Sequence, residues 1–87
     1  MLYEEIVIWK RVDTMSAARY RCLRNLVSGK YSVQSADFYR LPLSRQQVAQ
    51  FEEQFIELLC ETDPGTRAGA FDSLEEAIAA HDRSFNL

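Results

Sequence analysis

The chain is poor in the residues that mark exported, metal-binding or unfolded proteins. Its 87 residues include two cysteines, one histidine, three glycines and two prolines. So little glycine and proline is not typical of disordered or low-complexity chains. The longest apolar run, residues 6–9, is far shorter than the ~20 residues of a membrane-spanning helix. We therefore expect a single domain over residues 1–87 that does not enter a membrane.

The beginning of the sequence also lacks the basic stretch of a secretory signal, because Glu4 and Glu5 stand there instead. This pattern predicts a cytoplasmic location. Cys22 and Cys60 are far apart and show no spacing typical of a disulfide framework. In a reducing compartment we expect both thiols to be free and buried.

Charge is distributed unevenly along the chain. Residues 1–40 carry seven basic and four acidic side chains, a net charge of +3, whereas residues 41–87 carry three and nine, a net charge of −6. Two interpretations follow: a polarised surface, or two halves of one domain that attract each other.

Strand signals dominate the first half. Residues 3–11 are rich in β-branched and aromatic residues, and residues 18–26 and 30–39 alternate polar with apolar positions. Turn residues separate them, at 13–16 and at Ser28-Gly29. The sequence therefore predicts a three-stranded antiparallel meander, with a bulge at residues 35–37 where the alternation breaks.

Helix signals follow. Ser44 and Gln47 form a capping-box pattern that predicts a helix from about Arg45, and Asp63-Pro64-Gly65 predicts its end. Residues 64–72 are predicted as a loop. A second helix is expected to begin after Asp72 or Ser73, both of which fit a capping box, and to end near residue 84. The expected fold is α+β, in the order βββαα, with both helices on one face of the sheet.

Sites for catalysis or metal binding are weakly indicated. Cys22, Cys60 and His81 match no spacing of metal ligands, so we expect no metal. No glycine-rich phosphate loop precedes a helix, and we expect no cofactor. A Cys–His enzyme is the least favoured hypothesis, because buried thiols are usually inert.

The sheet face opposite the helices carries the strongest functional signal. If the face with Ile6, Ile8, Tyr20, Cys22, Tyr31 and Val33 points inward, the other face combines aromatic rings with cations. Such residues dominate the energetics of protein interfaces. The alternative is that the chain itself covers these side chains. The candidate binding residues are Tyr3, Trp9, Arg19, Arg21, Lys30 and Gln34.

Three segments, residues 19–26, 29–38 and 71–77, resemble small conserved bacterial proteins of unknown function. The resemblance spans most of the chain and implies a bacterial origin. It carries over no activity and no catalytic residues.

The leading hypothesis is a non-catalytic module that binds another protein through the aromatic and basic face. The alternative is a homodimer, formed through that face or an open strand edge, that binds a small ligand. Nucleic acid binding is less favoured, because a pI of about 5.0 does not fit a basic footprint over the domain.

Overall fold

The three predicted strands form one antiparallel sheet. In the computed structural model, which describes residues 1–85, the strands are β1 (Tyr3–Arg11), β2 (Ser16–Asn25) and β3 (Tyr31–Arg40). Their order in the sheet is β1-β2-β3, so β2 is central and β1 lies at one edge. The predicted meander is confirmed.

Short side chains hold the two hairpin loops. Asp13 accepts hydrogen bonds from the Met15 amide and the Ser16 hydroxyl, both at 2.8 Å. Asn25 accepts from the Val27 amide at 2.8 Å in the second loop, where Gly29 has a φ of +73°. Both positions follow the usual turn chemistry, in which a short polar side chain replaces a missing backbone partner.

Two long helices follow the sheet, as predicted: α1 spans Arg45–Glu61, and the last helix, α3, spans Leu74–Phe85. The Ser44 side chain accepts a hydrogen bond from the amide of Gln47 and caps α1. The Ser73 hydroxyl accepts a hydrogen bond from the amide of Glu76 at 3.1 Å and caps α3. Of the two predicted caps, Asp72 and Ser73, the structure therefore has Ser73. Within residues 1–85 no helix is both long and apolar enough to span a membrane.

The expected loop over residues 64–72 is wrong in its first half. A short helix, α2, spans Pro64–Ala68, and the side chain of Asp63 caps it by accepting from the amides of Gly65 and Thr66. Proline cannot continue α1, but its fixed φ suits the first position of a new helix. The same residues therefore end one helix and begin the next.

The predicted placement of both helices on one face is also wrong. α3 packs against the face of Tyr20 and Cys22, where Ala77 joins the buried core. α1 packs on the opposite face, where the ring of Phe55 lies 3.9 Å from the Arg21 guanidinium carbon. Since neighbouring residues of β2 point to opposite faces, the two helices enclose the sheet between them.

The core on the α3 face consists of the residues that the alternation predicted. Tyr20, Cys22 and Val33 are buried there, and Ile6, Ile8 and Tyr31 pack against them. All six lie on the predicted inward face, which confirms the alternation as an indicator of sidedness.

A bulge keeps β3 in phase with this core. Arg21 lies opposite Ser35 and Cys22 opposite Val33, so Gln34 is the extra residue. The bulge lies one residue before the predicted segment, 35–37. Because of it, Val33 and Ala36 both face α3 although they are three residues apart.

Candidate functional site

Arg19 lies at the centre of a cluster of charges and rings beneath α1. It donates a hydrogen bond to the carboxylate of Asp37 at 2.9 Å and to that of Glu52 at 3.2 Å. The ring centroids of Trp9 and Tyr39 lie 5.8 and 5.3 Å from its guanidinium carbon, within cation–π range. Burial alone would lower the pKa of Arg19, but the hydrogen bond to Asp37 and the nearby acidic charges raise it. Arg19 therefore keeps its positive charge, and the carboxylates of Asp37 and Glu52 neutralise it within the cluster.

Arg21 is the neighbouring cation on this face and is only 5% exposed. Its guanidinium lies on the ring of Phe55, and Nη1 is 3.1 Å from Glu52. Nη2 is 3.3 Å from Glu5. Glu52 thus pairs with both Arg19 and Arg21, which attaches the acidic α1 to the basic strand β2. These ion pairs support the interpretation of the charge asymmetry as attraction between two halves of the domain.

The six candidate binding residues are therefore not one open face. Arg21 is buried beneath α1, and Gln34 is 3% exposed. Tyr3 lies at the other end of the sheet, where its hydroxyl donates to Asp63 at 3.1 Å. Lys30 lies near that end too and forms an ion pair with Asp72. The structure brings together only Trp9 and the two arginines, and of these Trp9 is exposed.

An apolar groove of about 430 Å³ opens beside Trp9. It lies where the β1–β2 hairpin loop meets the chain that leads into α1. Its apolar walls are formed by exposed or half-buried side chains, together with the buried ring of Tyr39. The residues that line the groove include Trp9, Arg11, Met15, Tyr39, Leu41 and Leu43.

Local structure explains why these apolar side chains meet at the surface. The Asp13 turn places Met15 at the end of the hairpin, and the Leu41 amide donates to the Met15 carbonyl at 2.8 Å. Leu43 and Val48 stand at the two positions of a hydrophobic staple around the cap of α1, and both line the groove. The groove is thus a product of the elements that end the hairpin and start the helix.

Sequence reasoning found Trp9 and Arg19 but missed the apolar walls of this groove. The staple pair Leu43 and Val48 was a usable signal, because a staple leaves one apolar side chain outside the helix. Met15 and Leu41 gave none, since each lies in a connecting segment with no periodic pattern. Only the fold shows that these segments are neighbours.

The two cysteines lie in different surroundings. Cys22 is fully buried, and its burial raises the pKa of the thiol to about 11, which leaves almost no thiolate at neutral pH. Cys60 is exposed, contrary to the expectation of two buried thiols, because it lies on the side of α1 away from the sheet. Neither thiol hydrogen-bonds to His81 within residues 1–85.

His81 belongs to a second, more polar cavity of about 740 Å³ beside α3. Its ring packs against Tyr20 and Phe85, with centroids 5.9 and 4.7 Å away. The Tyr20 hydroxyl donates to Asp82 at 2.9 Å, and burial raises the pKa of this tyrosine. These contacts attach α3 to the sheet. In the described part of the chain no three histidine, cysteine or acidic side chains converge as metal ligands would.

Comparison of the chain with protein-family models, with curated proteins and with solved structures finds no match. The site must therefore be judged by its own chemistry. It offers an apolar groove, an exposed indole at its rim and a cluster of ion-paired arginines and carboxylates beneath, which is an arrangement suited to binding.

Proposed function

We propose that this protein is a non-catalytic, cytoplasmic interaction module that binds a segment of another protein in the groove beside Trp9. The segment carries apolar side chains, which enter the groove, and acidic side chains beside them. The observation that carries the proposal is the exposure of Trp9: 58% of its surface is accessible although the residue borders an apolar groove.

Exposed apolar side chains concentrate around this groove. Met15, Leu41 and Leu43 are 44%, 48% and 58% exposed. A contiguous exposed apolar patch of this kind lowers the solubility of a protein and commonly marks an interaction site. Tryptophan and leucine side chains would release ordered water on binding, and tryptophan is among the residues that contribute most to interface energies.

Charge at the rim indicates the chemistry of the partner. Arg11 lines the groove, Arg40 precedes Leu41, and Arg45 follows the capping serine of α1. All three are exposed, and none forms an ion pair with another residue in 1–85. Arg40 interacts electrostatically with Asp13, which also lines the groove. Arg11 and Arg45 remain as cations that favour a segment with acidic side chains, because such a segment neutralises them.

Cysteine chemistry supports the cytoplasmic location. Both thiols are free, one on the surface and one in the core. An exposed free thiol is typical of a reducing compartment, where disulfides do not accumulate.

Site-specific photo-crosslinking in cells tests this function. A benzophenone side chain at position 43 is expected to form an adduct with a partner protein, because Leu43 borders the groove. The matched control is position 38, since Phe38 is similarly exposed, at 51%, but lies on the α3 side of the sheet. Mass spectrometry of the adduct identifies the bound segment.

The expected result is an adduct from position 43 that is absent from position 38, with an acidic and apolar segment at the crosslink. The Trp9→Ala/Arg11→Glu variant should lose it, because that variant removes the anchoring ring and reverses the rim charge. Equal adducts from positions 43 and 38, or none from position 43, would contradict the proposal.

A further inference from the structure

Strand β1 leaves one whole edge of the sheet open. It pairs with β2 on one side only. Leu2 accepts from the Leu26 amide, and Val12 donates to Ser16, so the even-numbered residues of this strand bond to β2. Because the bonding direction alternates along an antiparallel strand, the odd-numbered residues point their N–H and C=O groups outward. These are Tyr3, Glu5, Val7, Trp9 and Arg11.

The charges along β1 change sign from one end to the other. Glu4 and Glu5 lie near its beginning, and Lys10 and Arg11 at its end. All four are exposed. Lys10 and Arg11 form no ion pair with any other residue in 1–85, whereas Glu4 pairs with Arg24 at 2.9 Å. The centre between the two ends is apolar, with Ile6, Val7 and Ile8.

This order is complementary to itself when the strand is reversed. We infer that the β1 edge binds the β1 edge of a second copy of this chain, antiparallel and with the two-fold axis at Val7, to form a six-stranded sheet. Glu4 then lies opposite Lys10 of the partner subunit, and Ile6 opposite Ile8 of the partner subunit. Both contacts occur twice, because the two-fold axis repeats them.

The backbone fits this register. The axis passes through a pair of outward-pointing residues, Val7 and Val7 of the partner subunit, which exchange hydrogen bonds. Glu4 and Lys10 of the partner subunit then form a non-hydrogen-bonded pair, the type in which opposite side chains lie closer. In this register the numbers of two paired residues add up to 14, so both are odd or both are even. Because odd and even residues of β1 lie on opposite faces, the two paired side chains share a face of the sheet.

Other arrangements of the same edge lose part or all of this complementarity. A parallel pairing would place like charges at equal heights along the strand, which is destabilising. Moving the axis to Ile6 sets Glu4 opposite Ile8 of the partner subunit. Moving it to Ile8 sets Glu5 opposite Arg11 of the partner subunit, but it leaves Lys10 opposite Ile6 of the partner subunit and separates Ile6 from Ile8. Charges on an edge strand often prevent pairing, but the Val7 register matches Glu4 with Lys10 of the partner subunit at both ends and also keeps the two Ile6–Ile8 contacts.

A second copy also covers apolar surface that the fold leaves open. Val7 is 40% exposed, and Ile6 and Ile8 are only partly buried although they pack against the core. In the dimer the two Ile6–Ile8 contacts extend the core of each subunit across the seam. The seam shares Trp9 and Arg11 with the groove, because the Val7 register places them opposite Glu5 and Tyr3 of the partner subunit. The dimer is tested by molar mass and the groove by crosslinking, so the two proposals can fail separately.

Molar mass in solution tests the inference. Light scattering and sedimentation over a concentration series should show wild type at twice the chain mass of 10.1 kDa, dissociating on dilution. In Lys10→Glu two attractions become two repulsions, so the dimer dissociation constant should rise at least about tenfold. Val7→Pro should yield a monomer, because it removes an outward N–H that β2 does not use.

Two comparisons keep the test specific. The double variant Glu4→Lys/Lys10→Glu exchanges the charges and should restore the dimer, whereas Arg45→Glu, with the same change in charge away from β1, should leave it intact. Circular dichroism confirms that each variant is folded. A wild-type chain that stays monomeric at millimolar concentration would overturn the inference. A dimer unchanged by both Lys10→Glu and Val7→Pro would do the same.

Discussion

Replacing Phe55 with alanine is expected to lower the free energy of unfolding by about 3 kcal/mol, the lower end of the range for buried phenylalanine. Phe55 is 5% exposed, and its ring covers the guanidinium of Arg21. The substitution removes the apolar contact between α1 and the sheet, and it opens a path for water to a buried cation. Urea denaturation at neutral pH measures the change.

The neighbouring residue provides the control. Ile56 follows Phe55 in α1 but is 58% exposed, since it points away from the sheet. Ile56→Ala should therefore change the free energy of unfolding by no more than about 0.5 kcal/mol. Because a domain of this type is stable by only about 5–15 kcal/mol, the two variants should be easy to distinguish. Similar losses in both would show that α1 does not cover the sheet through Phe55.

Replacing Arg19 with methionine is expected to destabilise the fold by about 3 kcal/mol, because it leaves a buried carboxylate without its cation. The side chains of Arg19 and Asp37 are 14% and 7% exposed, and they are joined at 2.9 Å. Methionine fills a similar volume but can neither donate to Asp37 nor interact as a cation with the ring of Tyr39. Urea denaturation at neutral pH is again the measurement.

The same substitution at Arg24 is the matched control. Arg24 lies on the same strand and pairs with Glu4 at the same distance, 2.9 Å, but the two side chains are 36% and 50% exposed. Water screens this pair, so Arg24→Met should cost less than about 1 kcal/mol. The double variant Arg19→Met/Asp37→Asn should regain part of the lost stability, since it removes the uncompensated charge. Equal losses from Arg19→Met and Arg24→Met would contradict the role of the buried pair.

The sheet could be predicted because its two faces differ in a simple way. Tyr20 and Cys22 alternate with Arg19 and Arg21, and the turn residues between the strands are unambiguous. Side-chain alternation with a period of two fixes which residues share a face. The caps of α1 and α3 were readable for a similar reason, because each depends on one serine and the residue three positions later.

The position of α1 could not be predicted from these signals. Charged residues such as Arg19 and Arg21 usually lie on a solvent-exposed face. The sequence therefore predicted that this face is exposed and that both helices pack on the other one. The compensating groups, Glu52 and Phe55, lie about thirty residues away, and a local pattern does not show which strand they will contact. The basic first half and the acidic second half were the only sequence signal of this attraction.

The open edge of β1 depends on a local sequence pattern, whereas the groove depends on contacts between segments that are distant in the sequence. The order of charges along β1 can be recognised from nine consecutive residues once that segment is assigned as a strand. The groove is assembled from the hairpin loop, the end of β3 and the start of α1, so only Trp9 and Arg19, which lie on the strands, could be selected in advance. Trp9 was selected for its chemistry, and its exposure is a property of the fold.

The accessibility of Trp9 tests the central claim most directly, because it is the only tryptophan of the chain. In the free protein its fluorescence should be quenched efficiently by acrylamide, as expected for a side chain that is 58% exposed. On saturation with the segment identified by crosslinking at position 43, the emission should shift to shorter wavelength and the quenching should fall severalfold. A segment that binds while Trp9 stays as readily quenched as before would contradict the account, because the partner would then occupy another surface.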